Sequence, residues 1–305
     1  MIKLRAGELL SAAVRCMLRA ILDREEKIHM KNAAMKNCFL LVLIAAMFAV
    51  LPACAQLAPP NDAGVTMGHI HLFVKDVEAQ KQFWTATMGG TVVQNGPLML
   101  IRFPGVYIML RKADPTAPPA GSIVDHFGFA WKDLPATLAK WKADKVEIEQ
   151  TGNPNQGYVH GPDGIRVEFF GDPSLATPVA MNHIHFYPVD IPGMQAWYAK
   201  VFGGIPGQRQ RQSSPGLIDC DDIPGTNLSF SPGKTALAPT KGRSLDHIGF
   251  DVKDLDAFAK KLEAQGIMLD EAIRTIPNAT TKVAYLTDPW GTRIELTQGL
   301  APAGN

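Results

Sequence analysis

"GHIHLFVKD" (68–76) and "NHIHFYPVD" (182–190) are two copies of one short segment, and the fold is decided by how they are read. Residues two apart on an extended strand share a face. His69 and His71 therefore lie on one side, with Ile70, Leu72 and Val74 on the other. His183 and His185 likewise oppose Ile184 and Phe186. An apolar face behind a histidine pair predicts a strand with one side in a core and the other turned to water or a ligand.

The repetition extends outward from these strands. "VDHFGFAWKDLPATLAKWKADKVEIE" (124–149) matches "LDHIGFDVKDLDAFAKKLEAQGIMLDE" (245–271), and "GPDGIRVEFFGD" (161–172) matches "DPWGTRIELTQG" (288–299). The chain thus divides into halves at 67–172 and 181–299, joined by the linker "PSLATPVA" (173–180). In each half a strand ending in Asp precedes an amphipathic helix. The first carries Val77, Phe83, Trp84 and Met88 and stops at Gly89-Gly90; its twin carries Met194, Trp197, Tyr198 and Phe202 and stops at Gly203-Gly204. A second helix in each half places Leu134, Leu138 and Trp141, or Leu255, Phe258 and Leu262, at helical spacing. The remaining pieces are short and β-rich. Each half reads as βαβββ twice, so the expected class is α+β: four βαβββ modules forming two tandem domains with curved mixed sheets. Helices on the outer faces leave the concave sheet faces for a site.

Composition narrows the class further. Hydrophobic residues make up 46% and charged residues 19% of the 305, which is globular, and the net charge is +1. No basic run with interleaved aromatics occurs, so a nucleic-acid partner is not expected. From Met35, "MKNCFLLVLIAAMFAVLPACAQ" has the layout of a secretory signal peptide, with cleavage expected after Ala55. Its apolar run, 39–51, is shorter than the roughly 20 residues a spanning helix needs. Residues 1–55 are therefore read as an N-terminal extension plus signal, 56–66 as a flexible mature N-terminus and 300–305 as a tail. The protein is expected to be exported, periplasmic or secreted, with no membrane attachment after cleavage; a lipoprotein acylated at Cys54 is the secondary reading. Of Cys16, Cys38, Cys54 and Cys220 only the last would survive, which rules out an intrachain disulfide.

The same face test applied to the other strands finds polar residues on sides that do not pack. His126 shares its face with Gly128 and Ala130, and His247 shares its face with Gly249. Glu168 opposes Val167 and Phe169, and Glu295 opposes Ile294 and Leu296. Each half thus offers two imidazoles and a carboxylate: His69, His126 and Glu168, then His183, His247 and Glu295. If such faces converge, the set matches the facial triad that holds a divalent metal and leaves positions open. One strand histidine is usually a satisfied polar residue, but six ligand-type residues recurring in register favour a site. His160 has no twin and reads as a loop residue.

On these motifs ("HIHLFVKD", "DHFGFAWKD", "GPDGIRVEFF"; "HIHFYPVD", "LDHIGFDVKD", "DPWGTRIEL") the chain resembles the vicinal oxygen chelate superfamily, which includes glyoxalase I, bleomycin resistance proteins and type I extradiol dioxygenases. The resemblance implies paired modules around a metal, with His69, His126, Glu168, His183, His247 and Glu295 as ligands. It leaves open whether a site draws on one half or exchanges ligands between halves. Glyoxalase I adds a fourth ligand on the last strand of the first module, where this chain offers Met109, and Leu228 or Ser229 in the second half. Extradiol dioxygenases hold Fe(II) with His, His and Glu and carry a tyrosine ten residues before the Glu, the spacing of Tyr158 and Tyr285. Bleomycin-binding members generally lack the metal set. The resemblance therefore implies dioxygenase-like chemistry on a small molecule with adjacent oxygens, with Fe(II) favoured over Mn, Zn or Ni. His71 and His185 are the acid/base candidates, and Tyr158 and Tyr285 would hydrogen-bond a bound oxygen. The alternatives are a glyoxalase-like lyase or isomerase, or an exported binding protein without turnover whose cleft draws on Phe73, Trp84, Phe170, Tyr187 and Trp197. A monomer acting as its own pseudo-dimer, or a homodimer, is expected.

Overall fold

The computed structural model describes residues 57–211 and 215–301. The signal peptide and Cys54 lie outside the described residues. The first module holds β1 (Val65–Val74), α1 (Val77–Gln82), β2 (Thr91–Asn95), β3 (Leu98–Phe103) and β4 (Val106–Lys112). The second holds β5 (Val124–Trp131), α2 (Leu134–Ala143), β6 (Ile148–Gln150), β7 (Gln156–His160) and β8 (Arg166–Gly171). The third runs through β9 (Val179–Phe186), α3 (Ile191–Phe202), β10 (Ile205–Gln210), β11 (Leu217–Ile223) and β12 (Thr226–Phe230). The fourth runs through β13 (Leu245–Val252), α4 (Leu255–Ala264), β14 (Glu271–Thr275), β15 (Lys282–Thr287) and β16 (Arg293–Gln298).

Pairing crosses the sequence halves. One eight-stranded sheet has the order β14-β15-β16-β13-β1-β4-β3-β2, joining the first module to the fourth. The other, β10-β11-β12-β9-β5-β8-β7-β6, joins the third to the second. At each seam the first strands of two modules run antiparallel, β1 against β13 and β5 against β9. Within a module the first and last strands are parallel, which makes both sheets mixed.

Asp side chains start the helices: Asp76, Asp133, Asp190 and Asp254 each accept from backbone N–H groups of the first turn. The first helix departs from a regular α-helix. After Gln82 it widens into a π turn, Phe83–Thr87, with Met88 N–H donating to Phe83 O. The wider turn lets adjacent Phe83 and Trp84 both point inward, and the Trp84 indole donates to Gln80 Oε1 at 3.0 Å.

A continuous core joins the apolar faces of the two sheets. Trp84 packs against Phe103 of one sheet and Phe127 and Phe129 of the other, while Phe202 of α3 meets Phe250 at 4.6 Å. Because both apolar faces turn to this shared core, the two histidine-bearing faces turn away from each other. The outermost described residues pack onto the fold. Asn61 Nδ2 donates to Phe202 O at 2.9 Å, β1 already begins at Val65, and Leu300 is fully buried.

One core position carries a charge problem. Asp221 is fully buried on β11 opposite Leu228, where the matching pair in the first module is Ile101 opposite Ile108. Among the described residues neither of its carboxylate oxygens has a hydrogen-bond partner, and burial pushes its pKa up to about 7. A carboxyl raised in the folded state stabilises below its unfolded pKa, near 3.9, and that contribution is lost as pH rises through about 7. Asp221→Asn is therefore expected to be near neutral in urea unfolding only below about pH 4, under both pKa values. At pH 8 it should be stabilising by on the order of 2–4 kcal/mol.

Candidate metal centres

Two clusters form at the seams, and each draws ligands from both halves of the sequence. In the first sheet β1 sets His69 opposite Gly249 and His71 opposite His247, and the parallel neighbour β16 sets Glu295 beside Gly249. His69, His71, His247 and Glu295 converge, with potential ligand atoms all within 4.8 Å of one another. In the second sheet β9 sets His183 opposite Gly128 and His185 opposite His126, with Glu168 beside Gly128. His126, His183, His185 and Glu168 converge in the same way. The six ligand candidates thus meet as His69, His247 and Glu295, and as His183, His126 and Glu168. The sequence leaves open whether a site draws on one half or on both; the antiparallel seams bring the first strand of one half to the second module of the other, so each cluster is exchanged between halves.

The glycines are part of this geometry. A side-chain carbon on Gly249 would lie 2.6 Å from His69 Nε2, and one on Gly128 would lie 2.7 Å from His183 Nδ1. Each imidazole lies across a bare stretch of the opposite strand.

In the first centre, Glu295 Oε2 is 2.9 Å from His69 Nε2, 2.8 Å from His247 Nε2 and 3.9 Å from His71 Nδ1. Asp246 Oδ1 lies 2.5 Å from His247 Nδ1 and is itself held by Arg293 at 2.9 Å. The second centre repeats the plan. Glu168 Oε2 is 3.1 Å from His126 Nε2 and 3.0 Å from His183 Nε2, Asp125 lies 2.8 Å from His126 Nδ1, and Arg166 approaches Asp125 at 3.5 Å. Gln156 Nε2 donates to Glu168 Oε1, a contact with no counterpart at Val283, its twin on β15.

The glutamates stay charged while four of the six imidazoles are held neutral. Burial alone would raise the Glu295 carboxyl, but His247, His69 and His71 outweigh it and hold it well below the usual carboxylate range. Glu168 is depressed in the same way by His126 and His183. Burial lowers His69, His185, His71 (to about 4) and His183 (to about 4), which keeps their rings neutral. For His126 and His247 burial is overcome by the flanking carboxylates, Asp125 with Glu168 and Asp246 with Glu295, and their pKa rises.

Several nitrogens at these centres have no partner among the described residues: both of His71, Nδ1 of His69 and of His185, and Nε2 of His183. His183 is informative. Its Nδ1 bonds Asn182 Oδ1 at 3.0 Å, so the proton sits there. The Nε2 lone pair then faces Glu168 Oε2 at 3.0 Å out of hydrogen-bond alignment. A lone pair facing a carboxylate oxygen in a dry site calls for a cation between them. Two imidazoles and a carboxylate fit a divalent metal, which would displace the proton that the flanking carboxylates favour on His126 and His247; those carboxylates on the far ring nitrogens are the outer support such ligands usually have.

Tyr158 lies opposite Glu168 and Tyr285 opposite Glu295 in the antiparallel β7–β8 and β15–β16 pairs. Burial, then the neighbouring glutamate, raises both hydroxyls well above their usual pKa. Arg166 and Arg293 cover the two rings at 3.6 and 4.4 Å. At the fourth-ligand position the last strand of the first module offers Met109 beside His71; in the second half Ser229 lies beside His185, while Leu228 faces the core. Of the aromatic cleft residues, Phe170 and Tyr187 line a cavity at the second centre and Phe73 stands 6.0 Å from His71. Trp84 belongs to the core and Trp197 packs on Trp290 and Phe202, so neither lines a cleft. His160 ends β7, not a loop, and contacts Glu149 at 3.2 Å.

The glyoxalase/bleomycin resistance protein/dioxygenase superfamily model matches residues 66–169 and 180–296. The chain belongs to that superfamily. Glyoxalase I from Zea mays is similar in structure at 17% identity, covering 77% of this chain and 92% of its own, with a TM-score of 0.61. A Bacillus subtilis protein provisionally named a dioxygenase is similar at 12% identity over 78% of this chain and 86% of its own, with a TM-score of 0.57. No curated protein matches the sequence. At these identities the structural likenesses establish the shared fold. Together with the His/Glu clusters, family membership points to a divalent metal site.

Asp125, Asp246, Gly128, Gly249, Gln156 and Arg209 were not singled out as site residues from the sequence. The signal for four of them was present: "VDHFG" and "LDHIG" repeat an Asp before, and a Gly two residues after, each histidine.

Proposed function

We propose that the protein is a divalent-metal-dependent enzyme acting on a small molecule with adjacent oxygens, with dioxygenase-like chemistry and Fe(II) as the favoured metal. The observation that carries this reading is the convergence, in each sheet, of three imidazoles and one carboxylate, two of the imidazoles lying at the glutamate oxygen, with no Glu at the fourth-ligand position. His69, His247 and Glu295 would hold one ion, and His183, His126 and Glu168 the other. A bound divalent ion would act as a Lewis acid on vicinal oxygens and, as Fe(II), give a route to dioxygen. Tyr158 and Tyr285 keep their hydroxyl protons and so donate to a ligand oxygen. His71 and His185 stay neutral at physiological pH and present lone pairs that can take a proton from a substrate hydroxyl. Burial of the clusters excludes bulk water. Both ligand sets are complete within one chain, so a monomer suffices for function, and residues 35–55 are proposed to direct export.

The test is metal content after anaerobic loading, followed by oxygen uptake with catechol. About two equivalents per chain and oxygen consumption by the Fe(II) form are expected. Failure to retain metal would overturn the enzyme reading in favour of a metal-free binding protein. Retention of metal without oxygen uptake would shift the reading to glyoxalase-like proton-transfer chemistry.

A further inference from the structure

The two centres share ligands but not surroundings. Strand β10 carries Arg209 opposite Ile218, where the matching position on β2 is Asn95 opposite Leu98. Arg209 is partly buried beside the second centre. One guanidinium nitrogen donates to Asn182 Oδ1 at 3.1 Å, and another donates to Ser229 Oγ at 2.6 Å. Ser229 in turn donates to Asn227 Oδ1 at 2.7 Å. Among the described residues no carboxylate lies within ion-pair distance of Arg209. A guanidinium has five N–H donors in a fixed fork, so donors remain after both contacts. Arg209 borders a cavity of about 110 Å³ together with Glu168, Tyr158, His185, Tyr187 and Arg211. The site therefore places a positioned cation, without a counter-ion, in the same cavity as a candidate metal ligand.

The first centre replaces this with hydrocarbon. Tyr107 and Met109 stand where the second centre has Asn227 and Ser229, each pair facing as the histidines of the neighbouring strand do. They are buried with Leu100 and Leu300, and Leu57, Val93 and Leu98 pack around them. Asn95, the counterpart of Arg209, donates to Leu300 O at 2.8 Å and Gly299 O at 3.2 Å, which holds the C-terminal segment over this face. Where Arg209 borders a cavity in one centre, its counterpart Asn95 in the other is tied to Leu300, which is buried in a cluster with Tyr107 and Met109.

We propose that the centre at Glu168 is the substrate site, and that its ligand carries an anionic group, a carboxylate in the simplest case, recognised by Arg209. The centre at Glu295 holds its metal without binding that ligand. This rests on the metal-chelate reading above and adds to it the charge of the substrate and the centre that takes it. Arg209 is a specificity-determining residue on this account, since it meets the end of the ligand away from the chelating oxygens. A bidentate Arg–carboxylate contact in a partly buried cavity discriminates strongly against a neutral analogue.

The test uses the full chain loaded with Zn(II), which permits binding without redox turnover, and titration calorimetry with two probes. These are 3,4-dihydroxybenzoate, a catechol bearing a carboxylate, and catechol itself. At least about tenfold tighter binding of the benzoate, at one equivalent per chain, is expected. Arg209→Gln should abolish that preference while retaining both metal equivalents, and Arg209→Lys should restore part of it. Equal affinity for the two probes, a preference that survives Arg209→Gln, or two equivalent benzoate sites would overturn the assignment and leave the metal-chelate reading standing. Binding of neither probe to the metal-loaded protein would overturn that reading and this assignment with it.

Discussion

Glu168→Ala is expected to remove one of two metal equivalents, and to do so through His183 and not through His69. Glu168 Oε2 lies 3.1 and 3.0 Å from His126 and His183, whereas His69 meets Glu295. Loss of an outer-sphere partner typically costs a metal site 10–100-fold in affinity; loss of one of three ligands should exceed about 100-fold. The variant should therefore retain a single equivalent and lose activity toward any substrate of that centre. Combinations make the prediction specific. Glu168→Ala with His183→Ala should still retain one equivalent, because both residues belong to one centre. Glu168→Ala with His69→Ala should retain none, because each empties a different centre. Ligands grouped by sequence half would reverse these two results, so metal analysis of the two double variants decides between the arrangements. Catalysis can be followed in parallel: if the centre at Glu168 is the working one, Glu295→Ala should leave far more activity than Glu168→Ala.

This exchange marks the boundary of what the sequence makes legible. Faces can be read directly, because the period of two places His69, His126, His183, His247, Glu168 and Glu295 on sides opposite apolar residues. Module order is equally legible, since "HIH" with a following Asp and "DHxGF" recur at matching places. Strand pairing between modules is not written in either pattern. β1 presents the same apolar face to a neighbour whether that neighbour is β5 or β13, and the choice of β13 is a property of the assembled chain. The π turn at Phe83–Thr87 escapes for a related reason: helical spacing of Phe83, Trp84 and Met88 does not reveal that two adjacent aromatics must both enter the core. Asp221 and Arg209 differ again. Each is a polar residue at a place where the other copy of the module has Ile101 or Asn95. That becomes visible only after strand register has aligned the copies.

Register also yields the second large effect. Gly128→Ala is expected to disable the centre at Glu168 with little direct effect on the backbone. Gly128 has no positive φ, so alanine is tolerated conformationally, and removing a glycine would by itself stabilise by about 0.4–1 kcal/mol through the unfolded state. Against this stands the new methyl group, 2.7 Å from His183 Nδ1, well inside ordinary contact. The ring has little freedom to retreat, since Nδ1 is held by Asn182 and Nε2 stands at Glu168. Either the imidazole swings away from the carboxylate or the β5–β9 seam opens. Overpacking of this kind costs about 1–3 kcal/mol. The net result expected is loss of one metal equivalent with destabilisation of no more than about 2.6 kcal/mol. Gly249→Ala should act likewise on the centre at Glu295, through His69. Gly152, with nothing within 4 Å of an added methyl group, supplies the comparison: its alanine variant should keep both equivalents and unfold no more readily than the parent. Metal analysis and urea unfolding of the three variants separate ligand displacement from general destabilisation. If Gly128→Ala retained two tightly held equivalents, His183 would not be a ligand in the orientation seen here, and the seam would have to place its metal elsewhere.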